Sequence, residues 1–151
     1  MPFPGVLSKN PLKFFFSIQS LLPKAYTAAS NGGNIDRYRN GGYAALCLEL
    51  LPGLWTDGTH AFVIEEADDN GSGAPGTYGT VAITDLLYDA NANAAGGTFT
   101  NITAATTTVQ RIDYIGRKRW VRVRNTASGT TTGAVYAVVG HLFAPTIYPA
   151  A

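Results

Sequence analysis

Glycine or proline interrupts this chain every ten residues or so, and the runs between them are short and β-branched or aromatic. With 17 glycines and 8 prolines spread along 151 residues, long helices are excluded and short strands joined by turns are favoured. The spacing predicts strands over 14–18, 43–51, 60–66, 78–84, 109–115, 119–125 and 133–142. A less regular Ala/Asn/Thr-rich stretch, 85–108, is expected to hold short strands around Phe99. The 43–51 run is almost wholly apolar and reads as buried on both faces. Asp57-Gly58, between two apolar runs, is a hairpin signal, and 126–132 reads as a second hairpin loop. About eight short strands with turns every 8–12 residues describe an all-β chain, a β-sandwich or jelly roll.

Proline also marks the ends. Pro2, Pro4, Pro11 and Pro23 fall in the first 23 residues, and Pro145 and Pro149 near the last. Proline suits extended segments and the margins of sheets. The expected layout is an extended N-terminal arm over 1–24, a sandwich core over 25–142 and a tail over 143–151. The apolar run after Lys13 has some features of a signal peptide. Ser17, Gln19 and Ser20 interrupt it and Pro23-Lys24 follows at once, so it reads as an uncleaved arm. No stretch approaches the ~18 uninterrupted apolar residues of a membrane helix. Cys47 is the single cysteine, which rules out an intramolecular disulfide framework and reads as a small apolar residue.

Few motifs carry chemistry. Gly71-Ser-Gly-Ala-Pro-Gly76 spells a dinucleotide fingerprint, but Pro75 and a β-branched run follow where a helix N-terminus is required, so no cofactor is expected. Asp68, Asn70, Ser72 and Gly73 match early positions of a calcium loop. Gly79 stands where the bidentate glutamate belongs, and a plain acidic turn is the better reading. His60 and His141 have no further zinc ligands at workable spacing. No serine sits in a nucleophile elbow, and adjacent Glu65 and Glu66 point to opposite faces of a strand. No enzymatic activity is expected.

Charge is scarce, at 14% of residues and a net +1, so bulk attraction to nucleic acid is disfavoured. What charge there is, is sorted. Arg111, Arg117, Lys118, Arg119, Arg122 and Arg124 hold six of the eleven cations. Alternation over 120–124 puts Val121 and Val123 on one face and Trp120, Arg122 and Arg124 on the other. That second face reads as a solvated surface, a protein interface or, less readily, a phosphate contact. The acidic cluster Glu65, Glu66, Asp68 and Asp69 is its complement, within the same sheet or on a neighbouring copy.

Several pieces, in order, resemble a small structural protein of tailed-bacteriophage head-gene clusters. They are Trp55-Thr-Asp-Gly-Thr-His60, Phe62-Val-Ile-Glu-Glu-Ala-Asp-Asp-Asn70, Val81-Ala-Ile-Thr-Asp-Leu86, Arg111-Ile-Asp-Tyr-Ile-Gly-Arg-Lys-Arg-Trp-Val-Arg-Val123 and Thr132-Gly-Ala-Val-Tyr-Ala-Val-Val-Gly-His141. The resemblance spans about 43–142. It implies a virion protein, a capsid cement or decoration protein on the outer capsid surface, made in the bacterial cytoplasm. Its partners would be the major capsid protein and further copies of itself, as a dimer or trimer, with no membrane or direct nucleic-acid contact. The expected contacts are Phe14, Phe15 and Phe16 as anchors and Arg117, Arg119, Arg122 and Arg124 as polar groups. A glycan- or receptor-binding module is the first alternative, with Tyr78, Trp55 and Tyr88 as its aromatic candidates, and a head-completion or tail protein is the second. Low charge agrees with a chain that hides part of its surface in an assembly.

Overall fold

The computed structural model describes residues 15–39 and 42–145. Within them the chain is almost entirely β: β1 (Phe15–Tyr26), β2 (Ser30–Asn31), β3 (Ile35–Asp36), β4 (Tyr43–Trp55), β5 (Thr59–Ala67), β6 (Gly79–Thr80), β7 (Leu86–Tyr88), β8 (Gln110–Tyr114), β9 (Trp120–Ser128) and β10 (Ala134–Pro145). Two antiparallel sheets form. Sheet I runs β1-β10-β4-β8-β7. Sheet II runs β2-β9-β5-β6, with β3 also paired to β9. The facing sets β1-β10-β4-β8 and β2-β9-β5-β6 have jelly-roll order, and β7 extends the edge of sheet I. The all-β sandwich expected from the punctuation is what the chain adopts.

Alternation builds the core. In β8, Gln110, Ile112 and Tyr114 are buried while Arg111 and Asp113 are exposed. Leu46, Leu48 and Leu50 of β4 and Val138 and Leu142 of β10 meet Phe62 and Ile64 of β5 and Val121 and Val123 of β9. Burying each such side chain contributes roughly 1.5–3 kcal/mol. Tyr26 stacks on Tyr136 at 4.6 Å, and Phe62 meets Tyr136 edge-on at 5.2 Å. Gly140 sits on the inner face because a Cβ there would lie 2.6 Å from Ile35 Cδ1.

Four expectations change. First, β4 is buried on one face only: Cys47 and Glu49 are half-buried, and Leu51 is exposed on the other. An apolar run cannot by itself distinguish a two-sided core strand from one with an apolar outer face. Second, neither predicted hairpin is one. Asp57-Gly58 carries the chain from β4 in sheet I to β5 in sheet II, and the loop after β9 returns it to β10 in sheet I. The Asp57 carboxylate joins the two corners, accepting N–H bonds from Thr131 (3.1 Å), Thr132 (2.9 Å) and Gly133 (2.6 Å). Third, the strand expected over 78–84 is only β6, because the chain turns into a 3₁₀ turn at Ile83–Asp85. In 85–108, Phe99 is fully buried, but β7 and isolated bridges stand in place of strands around it.

Fourth, sheet I begins at Phe15, inside the segment assigned to the arm. β1 pairs with β10 from Phe15↔Phe143 to Tyr26↔Ala134. Leu21 and Tyr26 enter the core, and Pro23 falls within the register shift between Leu21 and Lys24, where a missing N–H costs no ladder bond. At the other end β10 runs to Pro145, into the expected tail.

Candidate protein-interaction surface

The basic segment lies where the sequence places it but is not an open cationic strip. β9 pairs with β5 in a register that sets Arg122 opposite Glu65 and Arg124 opposite Val63. Glu65 accepts from Arg122 Nε at 2.7 Å and from Arg124 Nε at 3.0 Å. The Arg122 guanidinium also lies 3.9 Å from the Tyr78 ring centroid, and the Tyr78 hydroxyl donates to Asn34 Oδ1 at 2.8 Å. Burial pushes the Glu65 carboxyl up, but the two arginine hydrogen bonds outweigh it and hold the group below the usual carboxylate range.

Arg119 is held by two carboxylates. It grips both oxygens of Asp36 at 2.9 Å and donates to Asp69 at 2.7 Å, with its guanidinium 4.9 Å from the Trp120 ring. Trp120, expected beside an open strip, is buried under this cover. Lys118 pairs with Asp68. Of the four arginines expected to make partner contacts, Arg119, Arg122 and Arg124 are paired within the chain. Arg117 is exposed and makes no ion pair among the described residues. Glu66, the remaining member of the acidic cluster, turns the other way and accepts from the Tyr114 hydroxyl. The acidic cluster therefore meets the basic segment inside one chain.

Arg37 escaped the sequence reading because it lies far from the basic run. It is buried and latches the β8–β9 corner, donating to the carbonyls of Gly116 (2.8 Å) and Lys118 (2.9 Å), with its guanidinium 4.8 Å from the Tyr114 ring.

Of the expected anchors, Phe14 lies outside the described residues. Phe15 is placed by its backbone opposite Phe143. Phe16 packs half-buried against the core, with the Arg39 guanidinium 4.4 Å from its ring.

The calcium alternative does not find a converging ligand set. Asp69 Oδ1 accepts from Gly71 N (2.7 Å) and Gly73 N (3.2 Å), and Asn70 Oδ1 from Ser72 N (2.9 Å), so these oxygens close the loop on itself. Among the described residues no group of three metal-capable side chains forms.

The outer face of sheet I is different in kind. Alternation over β4 and β10 brings Cys47, Glu49 and Leu51 beside Val135, Ala137, Val139 and His141, and Leu87 of β7 extends the face. Leu51 is 37% exposed and Leu87 55%. One polar row crosses it: Ser17 Oγ lies 3.0 Å from His141 Nδ1, His141 Nε2 lies 3.0 Å from Glu49 Oε2, and Arg111 donates twice to Glu49 Oε1 at 2.6 and 2.9 Å. The serine–histidine–glutamate order was invisible in sequence, since the three residues sit on three strands far apart in the chain. β10 is paired on both sides, and the row ties β1, β10, β4 and β8 together across the face. Burial pushes the Cys47 thiol up to about 12, which keeps it inert.

Among the aromatic candidates for glycan contact, Tyr78 is committed to Arg122 and Asn34, and Tyr88 packs against the core. Trp55 also packs half-buried against the core, and both it and Tyr88 border open grooves. No protein-family model matches the chain, and no curated protein or solved structure matches it significantly.

Proposed function

We propose that this protein is a structural virion component of a tailed bacteriophage. It is a cement or decoration protein that binds the major capsid protein on the outer capsid surface as a dimer or trimer. The observation that supports this reading is the contrast between its two outer faces: the cations of sheet II are neutralised within the chain, while apolar side chains of sheet I lie open. A surface of that kind gains more from burial against protein than from phosphate contact. The described strands β1 and β10 begin and end at one margin of sheet I, where Phe15 faces Phe143 and Pro145 faces Tyr43. Repetition on a lattice makes modest single contacts sufficient.

The test is add-back to purified capsids lacking the protein. Leu51→Lys and Leu87→Lys, at exposed positions, are expected to leave the melting temperature nearly unchanged and weaken capsid binding by about tenfold or more each. Removing residues 1–13 should lower occupancy while preserving β1. Full decoration by all three variants would overturn the proposal. A copy number of about six or twelve per virion, in place of hundreds, would favour a connector or tail component.

A further inference from the structure

β4 and β8 pair from Leu46↔Tyr114 to Leu50↔Gln110 and then part. β4 continues to Trp55, while the chain preceding β8 swings away and leaves a groove of about 450 Å³ between Gly53, Leu54 and Trp55 on one side and Ala105, Thr106, Thr107 and Thr108 on the other. A second cavity of about 260 Å³ lies against the same 105–108 segment and brings in Asn91, Asn101, Thr103 and Gln110. The two volumes together are of the size that small-ligand sites occupy.

Three features define the chemistry of this double groove. No ionisable side chain lines either part among the described residues. The Trp55 indole is held by its Nε1–H, which donates to the Gly58 carbonyl at 3.0 Å, so a half-buried aromatic ring is fixed at the groove wall. The backbone N–H and C=O groups of residues 103–107 have no hydrogen-bond partner among the described residues, nor do the hydroxyls of Thr103 and Thr107. Residues 103–107 are mostly exposed, so these donors and acceptors face solvent at the groove and can exchange water for the hydroxyls of a ligand beside the fixed indole.

We infer that this groove binds a neutral carbohydrate. A sugar ring presents an apolar C–H face for the indole and hydroxyls that both donate and accept, matching backbone amides, threonine hydroxyls and the Asn101 amide. An anionic sugar or a nucleotide would need a cation that the lining does not contain. An extended peptide would need a continuous ladder, and Pro52 removes one N–H from the β4 side. The site lies at the end of β4, apart from Leu87 and the polar row of sheet I, so it does not depend on the capsid reading.

The experiment is an array of neutral and sialylated glycans probed with the full chain, followed by tryptophan-fluorescence titration with the neutral oligosaccharides retained. Neutral glycans are expected to be retained in preference to sialylated ones. Thr107→Arg, at an exposed position, should keep the wild-type thermal melt and lose at least about tenfold in affinity. Trp120→Phe should keep the fluorescence response and Trp55→Phe should lose most of it. Retention of no neutral glycan, preference for sialylated ones, or undiminished binding by Thr107→Arg would each overturn the inference. Thr107→Arg should still decorate capsids and Leu51→Lys should still bind sugar, so failure of one reading is distinguishable from failure of the other.

Discussion

The outer faces of the two sheets solve the same problem differently. Each centres on one glutamate that accepts from two neighbours. On sheet II, Glu65 holds Arg122 and Arg124, both permanently charged and on one strand, beneath the Tyr78 ring. On sheet I, Glu49 joins Arg111 of β8 to His141 of β10 across β4, with Leu51 open beside it. The first arrangement fixes a register, because a one-residue slip of β9 against β5 would turn arginines into the core. The second links three strands and leaves apolar surface exposed around it. Low overall charge thus hides an uneven distribution, with a face covered by ion pairs and one where a single polar row runs between exposed leucines.

Removing Glu65 is the most severe way to break the comparison. Glu65→Ala takes the carboxylate from two arginines, leaving Arg122, only 19% exposed in its side chain, with the Tyr78 ring alone, and should cost about 2–3 kcal/mol. That is a loss of roughly 4–12 °C in melting temperature for a chain of this size. Glu49→Ala should cost only about 1 kcal/mol, since the Arg111 side chain is 59% exposed and regains water. Equal losses in thermal melts would show that the two faces are energetically alike.

Acid sharpens the contrast. On Glu49, as on Glu65, burial acts to raise the carboxyl, and hydrogen bonds from His141 and Arg111 more than reverse it. A carboxyl whose pKa is lower in the folded chain contributes stability that is complete above its unfolded value, about 4.3, and is lost as pH falls through the folded value. Wild type should therefore weaken below about pH 4. Glu65→Gln and Glu49→Gln should each be less stable at pH 7 and less acid-sensitive in denaturant titrations repeated from pH 7 to pH 3. An acid limb unchanged in both variants would remove these pairs as its source.

The strands and their inward faces were legible because alternation over 109–115 and 119–125 is a local signal. Which sheet a strand joins was not, because Asp57-Gly58 specifies a reversal and says nothing about whether the partner lies beside it or across the core. The site fared similarly. The sorting of cations and anions could be read directly, but their mutual neutralisation depends on the Glu65↔Arg122 register, and the 17–141–49 row and the split between β4 and β8 depend on pairings between distant segments. Trp120 was misplaced because alternation assigns a face, while Arg119 with Asp36 and Asp69 decides whether that face is covered.

The smallest expected effect is at Arg117, which separates charge used for folding from charge left for a partner. Arg117→Glu changes an exposed corner residue with no ion pair among the described residues, so its melting temperature should stay within about 0.5 kcal/mol of wild type in equivalent stability. Arg124→Glu would instead place a like charge against Glu65 and should destabilise measurably. If capsid binding by Arg117→Glu falls while its melt is unchanged, the corner between β8 and β9 belongs to the docking surface along with sheet I. If binding is also unchanged, contact is confined to the apolar face and the segments beyond β1 and β10, and the whole basic run serves only to hold sheet II in register.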